Sequence, residues 1–448
     1  MNKFKEVTIL GAGPAGMGVA YYCNKEGIKY RLFEKGSVVG GNCITFNING
    51  FMFDSGAHRF HDKDQDTTFL VKDLLGRSIH RINVPSQIYI NGKFVDFPLT
   101  PINIIKFLGP SLVVKATASL VFNKLKNTKI RNFKDLALNR YGWIISNLFL
   151  LGYSEKLWGR PAHHLSAKIS GSRLKGLSLR LLMAEAFGIK KNLHLDGSFY
   201  YPEKGIGSIF STIKERCNEE NFFLKSKITS IFHNQNKITS IEINKSSKVD
   251  IDLLVSSIPM NIFIRLLNPL PPKSILDAID SISYRDLILV VFMLNKETIN
   301  SNGSMYFPSK KFAFTRIYEP RNRSKFMSPK GKTSLAVEVP CEKVDKLSDE
   351  EVKSLINTIQ KQLVDIGFFE VSDIIEIGNK KIKYAYPVLE SSYSSKLSPI
   401  VKYISSFENL IVNGRNGKFE YTHIHDHLND SREIVSNLKM NGVEIENK

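Results

Sequence analysis

Three glycines stand at a spacing that serves phosphate chemistry. Val7-Thr8-Ile9-Leu10 is a short apolar run that runs directly into Gly11-Ala12-Gly13-Pro14-Ala15-Gly16, and a helical pattern from Met17 to Asn24 follows. A second apolar run, Tyr30 to Phe33, ends on an acid, Glu34. Strand, glycine turn, helix start and an acid roughly 20 residues on make a dinucleotide-binding unit. Gly11 permits the tight turn, Gly13 lets backbone approach a pyrophosphate, and Gly16 lets helix and strand pack closely. The helix start, with Pro14 and Ala15, presents unpaired N–H groups and a partial positive charge to that pyrophosphate. Glu34 accepts hydrogen bonds from ribose hydroxyls, which argues against a 2′-phosphate there, and Lys35 follows it. A paired glycine, Gly40-Gly41, then Asn42, lets the chain lie against the same cofactor.

Further along, the reactive side chains are sparser. Gly56-Ala57-His58-Arg59-Phe60-His61 sets two histidines in a glycine-led loop after the strand Phe51 to Asp54. Arg316 interrupts an otherwise apolar stretch, Phe314-Thr315-Arg316-Ile317-Tyr318. Arg173 and Arg180 fall on a helical segment. Histidines alternate at His423, His425 and His427 near the C-terminus, a spacing that on a strand could ligate a metal; a loop is the expected setting, and no metal is assigned.

Composition sets the frame for these residues. The chain has 448 residues, 42% hydrophobic and 23% charged, which suits a globular protein of two or three domains. Four cysteines without a C-x-x-C pair exclude a zinc ribbon or disulfide framework and fit a reducing compartment. The first strand begins almost at the N-terminus, so a cytoplasmic location is expected. The net charge of +19 is spread along the chain, with no recognisable nucleic-acid module, so anionic small molecules or an anionic membrane face are the remaining partners. The longest apolar stretch, Ile102 to Phe122, is broken by Lys106, Pro110 and Lys115 and reads as a buried or surface-lying helix that leaves peripheral membrane contact open.

The positioning elements follow from period and punctuation. Tyr89 to Val95 is a hairpin around Asn91-Gly92. Residues 101–191 are mostly helical. Phe199-Tyr200-Tyr201-Pro202 is a strand leading through glycines into a helix, and Ile251 to Pro259 is a central parallel strand. Ser348 and Glu351 form a capping box for a helix to Ile366. These elements predict an α/β fold: a discontinuous Rossmann-like domain (1–85, 196–258 and 385–448) with an inserted helical lobe (86–195) and a β-sheet substrate domain (259–384).

Taken together, these motifs resemble the FAD enzymes of the amine-oxidase and protoporphyrinogen-oxidase superfamily. Gly56 to His61, Phe97-Pro98-Leu99, Glu155-Lys156-Leu157-Trp158-Gly159, Phe314 to Glu319, Tyr386-Pro387-Val388 and Gly414-Arg415 followed by Tyr421 resemble its UDP-galactopyranose mutase-like branch. The resemblance implies FAD, with Gly414 and Arg415 near the isoalloxazine and His58 and His61 beside the ring. It implies reduced flavin as a nucleophile toward a nucleotide sugar, an external reductant, and contacts to the substrate from Trp158, Arg173, Arg180, Tyr201, Arg316 and Tyr421. His58, His61, Arg316 and Tyr421 are the catalytic candidates. The C-terminal loop does not reproduce the branch's paired tyrosines followed by Asp, so oxidation of a small organic substrate by FAD stands as the alternative activity. Neither the sugar nor the oligomeric state is legible.

Overall fold

In a computed structural model, residues 4–97, 99, 101–125, 129–170 and 198–440 are described. The strand Val7–Leu10 (β1) is buried along its whole length because neighbours flank it on both sides. A five-stranded parallel sheet is ordered Leu410–Val412, Leu253–Ser256, β1, Tyr30–Phe33 (β2) and Phe222–Phe223. Its strands come from both ends and the middle of the chain. Such runs are apolar throughout because both faces of the sheet are covered. The helix Pro14–Lys25 (α1) packs on one face, beside the C-terminal helix Ile424–Met440.

A seven-stranded sheet holds residues 374–387, 284–294, 333–341, 316–318, 304–306, 86–90 and 93–97, in that order. Its long strand Tyr284–Leu294, paired on both sides, is buried at all but its first residue. The hairpin at Ser86–Phe97 turns through Asn91 and Gly92, both at positive φ, as its Asn-Gly sequence requires. That hairpin does not stay with the helices that follow it; Ser86–Ile90 pairs in parallel with Ser304–Tyr306 and so edges the large sheet. The helix Asp349–Ile366 starts on the expected capping box between Ser348 and Glu351 and covers one face of that sheet. A four-stranded sheet (Ser247–Asp250, Lys237–Ile243, Ile228–Asn234, Leu267–Asn268) completes the scaffold.

The helical segment begins with Pro101–Leu125 (α2), which breaks at Gly109, held at φ 74° just before Pro110. Phe133–Ile145 follows and packs against it, and Gly152–Trp158 (α3) carries the chain to the cleft between the two large sheets. Arg173 and Arg180 lie outside the described residues.

Candidate active site

Ligands of parallel α/β sheets collect at the carboxyl ends of the strands. Four of the strands end there: β1 in Gly11, β2 in Glu34, Leu253–Ser256 in Ser257, and Leu410–Val412 in Asn413-Gly414, of which Gly11, Glu34 and Gly414 were singled out above. Gly11 has φ 92°, and a Cβ on Gly16 would sit 1.9 Å from the Gly11 carbonyl oxygen, so turn and helix touch. Gly13 has open space where a side chain would point, and α1 has Pro14 in its first turn and no side-chain cap. Its first N–H groups are therefore left for a ligand. Glu34 is oriented by two backbone donors, Ala12 N at 2.8 Å and Gly36 N at 2.7 Å, one on each carboxylate oxygen. Each oxygen keeps a lone pair for a ribose hydroxyl, and Lys35 beside it is exposed.

The other cofactor candidates converge on this turn. Gly40 N donates to Ala12 O at 2.7 Å, and a Cβ on Gly41 would lie 2.9 Å from Gly13 Cα. A Cβ on Gly414 would lie 3.0 Å from that of Ala15. Asn42 is fixed by its amide to the carbonyls of Lys383 and Tyr384. Arg415 donates to the carbonyls of Thr422 and Ala385 and lies 5.2 Å over the Tyr421 ring. A glycine-lined groove, an uncapped helix start and a poised carboxylate are what an extended dinucleotide needs, and the residues fit FAD.

The histidine loop links this groove to the large sheet. Ser55 Oγ donates to Asn42 O and lies 3.3 Å from His58 Nε2. Ala57 N donates to Glu338 Oε1 at 2.6 Å. Burial, then the cations Arg415, Arg316 and Arg323, push His58 down to about 3, so its imidazole is neutral at physiological pH. His61, half-buried, packs edge-on to Phe199 at 6.4 Å, on the ring that Arg59 covers at 4.9 Å.

Arg316 does not stand alone. Its Nε and Nη2 donate to Glu338 at 2.8 and 2.7 Å, a forked ion pair in which Glu338 is 1% exposed. Burial opposes the charge of Arg316, but Glu338 and the tyrosines 153, 386 and 306 outweigh it and raise its pKa well above the usual arginine value. Nη1 makes no hydrogen bond among the described residues. Trp158, buried at the end of α3, meets Tyr386 and Tyr421 edge-on at 5.8 and 5.4 Å, which closes an aromatic wall beside the pair.

One candidate is corrected. Tyr201 is 1% exposed and donates to Asp54 Oδ2 at 2.6 Å, and Asp54 also accepts from Thr45 and Ile206. Burial raises the Asp54 pKa against these bonds. Tyr201 thus ties Phe199–Pro202 to the strand Phe51–Asp54 in the core and does not line the cleft. The histidines near the C-terminus, expected in a loop, straddle a helix start: His423 and His425 stack at 5.8 Å, and burial pushes His427 down to about 3.

Glu338 and Arg323 were missed. Glu338 is a lone acid in the apolar run Leu335-Ala336-Val337-Glu338-Val339, a pattern that marks a paired buried charge. Arg323 carries no such signal; it is 2% exposed, donates to the carbonyls of His58 and Gly303, and stacks 4.3 Å from Tyr318. Tyr153 and Tyr306, the edge-to-face pair beside Arg316, were also unforeseen.

Comparison with known proteins agrees with this geometry. The chain is 22% identical over 403 residues to coproporphyrinogen III oxidase of Bacillus subtilis, covering 81% of this chain and 84% of that one. It is 25% identical over 235 residues to dTDP-fucopyranose mutase of Escherichia coli, covering 51% and 58%. Its fold superposes on a crystal structure of reduced UDP-galactopyranose mutase with a TM-score of 0.84 at 20% identity, covering 98% and 95%. The family described as flavin containing amine oxidoreductase matches residues 14–379. The chain belongs to that family, and its cofactor is FAD.

Proposed function

We propose that this flavoenzyme is a mutase that interconverts the pyranose and furanose forms of a nucleotide-diphosphate sugar, with an external reductant keeping the flavin reduced. One observation carries the reading: an arginine whose Nη1 makes no hydrogen bond among the described residues, fixed by a buried carboxylate, sits among tyrosines 153, 306 and 386, the last packed on Tyr421, beside the dinucleotide groove. Those side chains offer hydroxyl and guanidinium donors, as a phosphorylated sugar requires. The likeness to dTDP-fucopyranose mutase over half the chain supports the same reading.

Bound FAD supplies, in its reduced form, an electron-rich centre able to attack an anomeric carbon. Arg316 would hold the departing diphosphate through Nη1 while Glu338 keeps the guanidinium in place. Trp158, Tyr386 and Tyr421 would exclude water from the opened sugar, which otherwise competes as a nucleophile. His58, neutral, would accept or donate a hydrogen bond at the sugar without adding charge.

The alternative, FAD-dependent oxidation of a small organic substrate, is favoured by the likeness to coproporphyrinogen III oxidase, which spans four-fifths of the chain. UDP binding tests the assignment of the cleft. Arg316→Ala should weaken UDP binding to the FAD-loaded protein by about 10- to 100-fold, the worth of one charge-assisted hydrogen bond, with FAD retained. Unchanged UDP affinity would contradict the proposal.

A further inference from the structure

We infer that the outer face of α2 is a docking surface for an anionic lipid bilayer, and that the protein lies on a membrane through it. α2 is the one helix among the described residues long and apolar enough to cross a membrane, with mean hydropathy 1.5 over an 18-residue window within Asn103–Leu125, yet only 11% of that window is buried. Past the Gly109–Pro110 break its buried and exposed sides separate cleanly. Ala116 and Leu120 face inward. Val114, Ala118, Val121, Phe122 and Leu125 fall at i, i+4, i+7, i+8 and i+11, one continuous stripe. Of these, Val114 is 68% exposed, Phe122 59% and Leu125 78%, a stretch of apolar surface that water disfavours.

Charge names the occupant. No acid occurs between Asp96 and Asp135, while that stretch carries seven basic residues: Lys106, Lys115, Lys124, Lys126, Lys129, Arg131 and Lys134. Lys115 and Lys124 project about 90° to either side of the stripe on a helical wheel, both exposed. An apolar stripe rimmed by lysines is the arrangement that sinks into the boundary between anionic head groups and acyl chains. Trp143 lies beside it, half exposed, with its backbone N–H on Ser119 Oγ at 2.8 Å, where an interfacial tryptophan would sit. The lysines and the packing of the opposite side on Phe133–Ile145 hold the helix on the surface and prevent it from spanning. A second copy of this chain would present the same positive field and be repelled.

The test uses the full FAD-loaded chain with vesicles of phosphatidylglycerol and phosphatidylcholine in equal parts, and with phosphatidylcholine alone. The protein should sediment with the first far more than with the second, and added salt should release it. Of the two tryptophans, Trp158 is already buried, so a blue shift on binding reports Trp143. Lys115→Glu with Lys124→Glu should weaken binding at least about 25-fold, from about fivefold per lysine. Phe122→Ser with Leu125→Ser should abolish the blue shift. All four side chains are exposed, so flavin absorbance and thermal stability should hold in both variants. No binding to anionic vesicles, or binding that neither variant weakens, would overturn the inference. So would self-association that Phe122→Ser with Leu125→Ser abolishes while vesicles fail to compete for it.

Discussion

Replacing Glu338 with Leu should destabilise the protein more than replacing Glu338 and Arg316 together. Glu338, 1% exposed, accepts the fork of Arg316 at 2.7–2.8 Å and the Ala57 N–H at 2.6 Å. Without the carboxylate, a buried guanidinium loses its counter-charge, a cost of about 3–5 kcal/mol. The orphaned Ala57 N–H adds about 1–3 kcal/mol. Arg316→Met alone leaves Glu338 uncompensated at a similar cost of about 3–5 kcal/mol. If the sites were independent, the pair of changes would cost roughly 7–13 kcal/mol by the same figures, comparable to the total stability of a domain. The double variant instead buries no charge, and apolar replacement of a buried pair is often close to neutral. Its remaining cost is chiefly the Ala57 N–H. The coupling energy should therefore be at least about 3 kcal/mol. The assay is urea unfolding at fixed, saturating FAD, comparing all four proteins by one probe. Additivity within about 0.5 kcal/mol would refute the claim that the two charges depend on each other.

Three further outcomes follow from the geometry. Gly16→Ala should abolish FAD retention, because its Cβ would meet the Gly11 carbonyl at 1.9 Å; a normally loaded variant would contradict the tight turn. Tyr201→Phe should lose about 1–3 kcal/mol of stability by freeing the buried Asp54 carboxylate, while UDP affinity stays unchanged; a drop in UDP affinity would return Tyr201 to the substrate site. His58 and His427 both have folded pKa values lowered to about 3, below the unfolded value near 6.5. Below about pH 6.5 the unfolded chain takes protons that the folded one refuses, so stability should fall as pH drops from about 6.5 toward 3, by up to about 1.4 kcal/mol per pH unit for each histidine. His58 keeps some accessible surface, so its share is the smaller. Gln at both positions should flatten that slope in urea titrations, and an unchanged slope would place the proton uptake elsewhere.

The dinucleotide groove was legible because its requirements are local. A tight turn, a helix start and an acid one strand later are set by neighbours in sequence, and Gly11 to Gly16 with Glu34 satisfy them within about one βαβ length. The Ser348–Glu351 cap and the Asn91-Gly92 turn were readable for the same reason. What closes the cleft was not. Arg316 announced itself as a cation in an apolar strand, but its partner Glu338 is 22 residues away and meets it only because the two strands pair, Arg316 opposite Glu338. Tyr201 had the composition of a substrate contact; the strand pairing of Phe199–Pro202 with Ile79–Ile82, and the pull of Asp54, turned it inward. The histidines at 423, 425 and 427 looked alternate in sequence, and a helix beginning at Ile424 gave them a different geometry.

Turnover tests the proposed isomerisation by a reduced flavoenzyme directly. Purified protein reduced with dithionite under nitrogen should convert a UDP- or dTDP-linked hexopyranose to its furanose, repeatedly and with no net consumption of reductant. The oxidised enzyme should be inactive on the same sugars. Steady oxygen uptake or acceptor reduction with a porphyrinogen or amine, together with no ring-size change in any nucleotide sugar under reducing conditions, would contradict the proposal and establish the oxidase reading in its place.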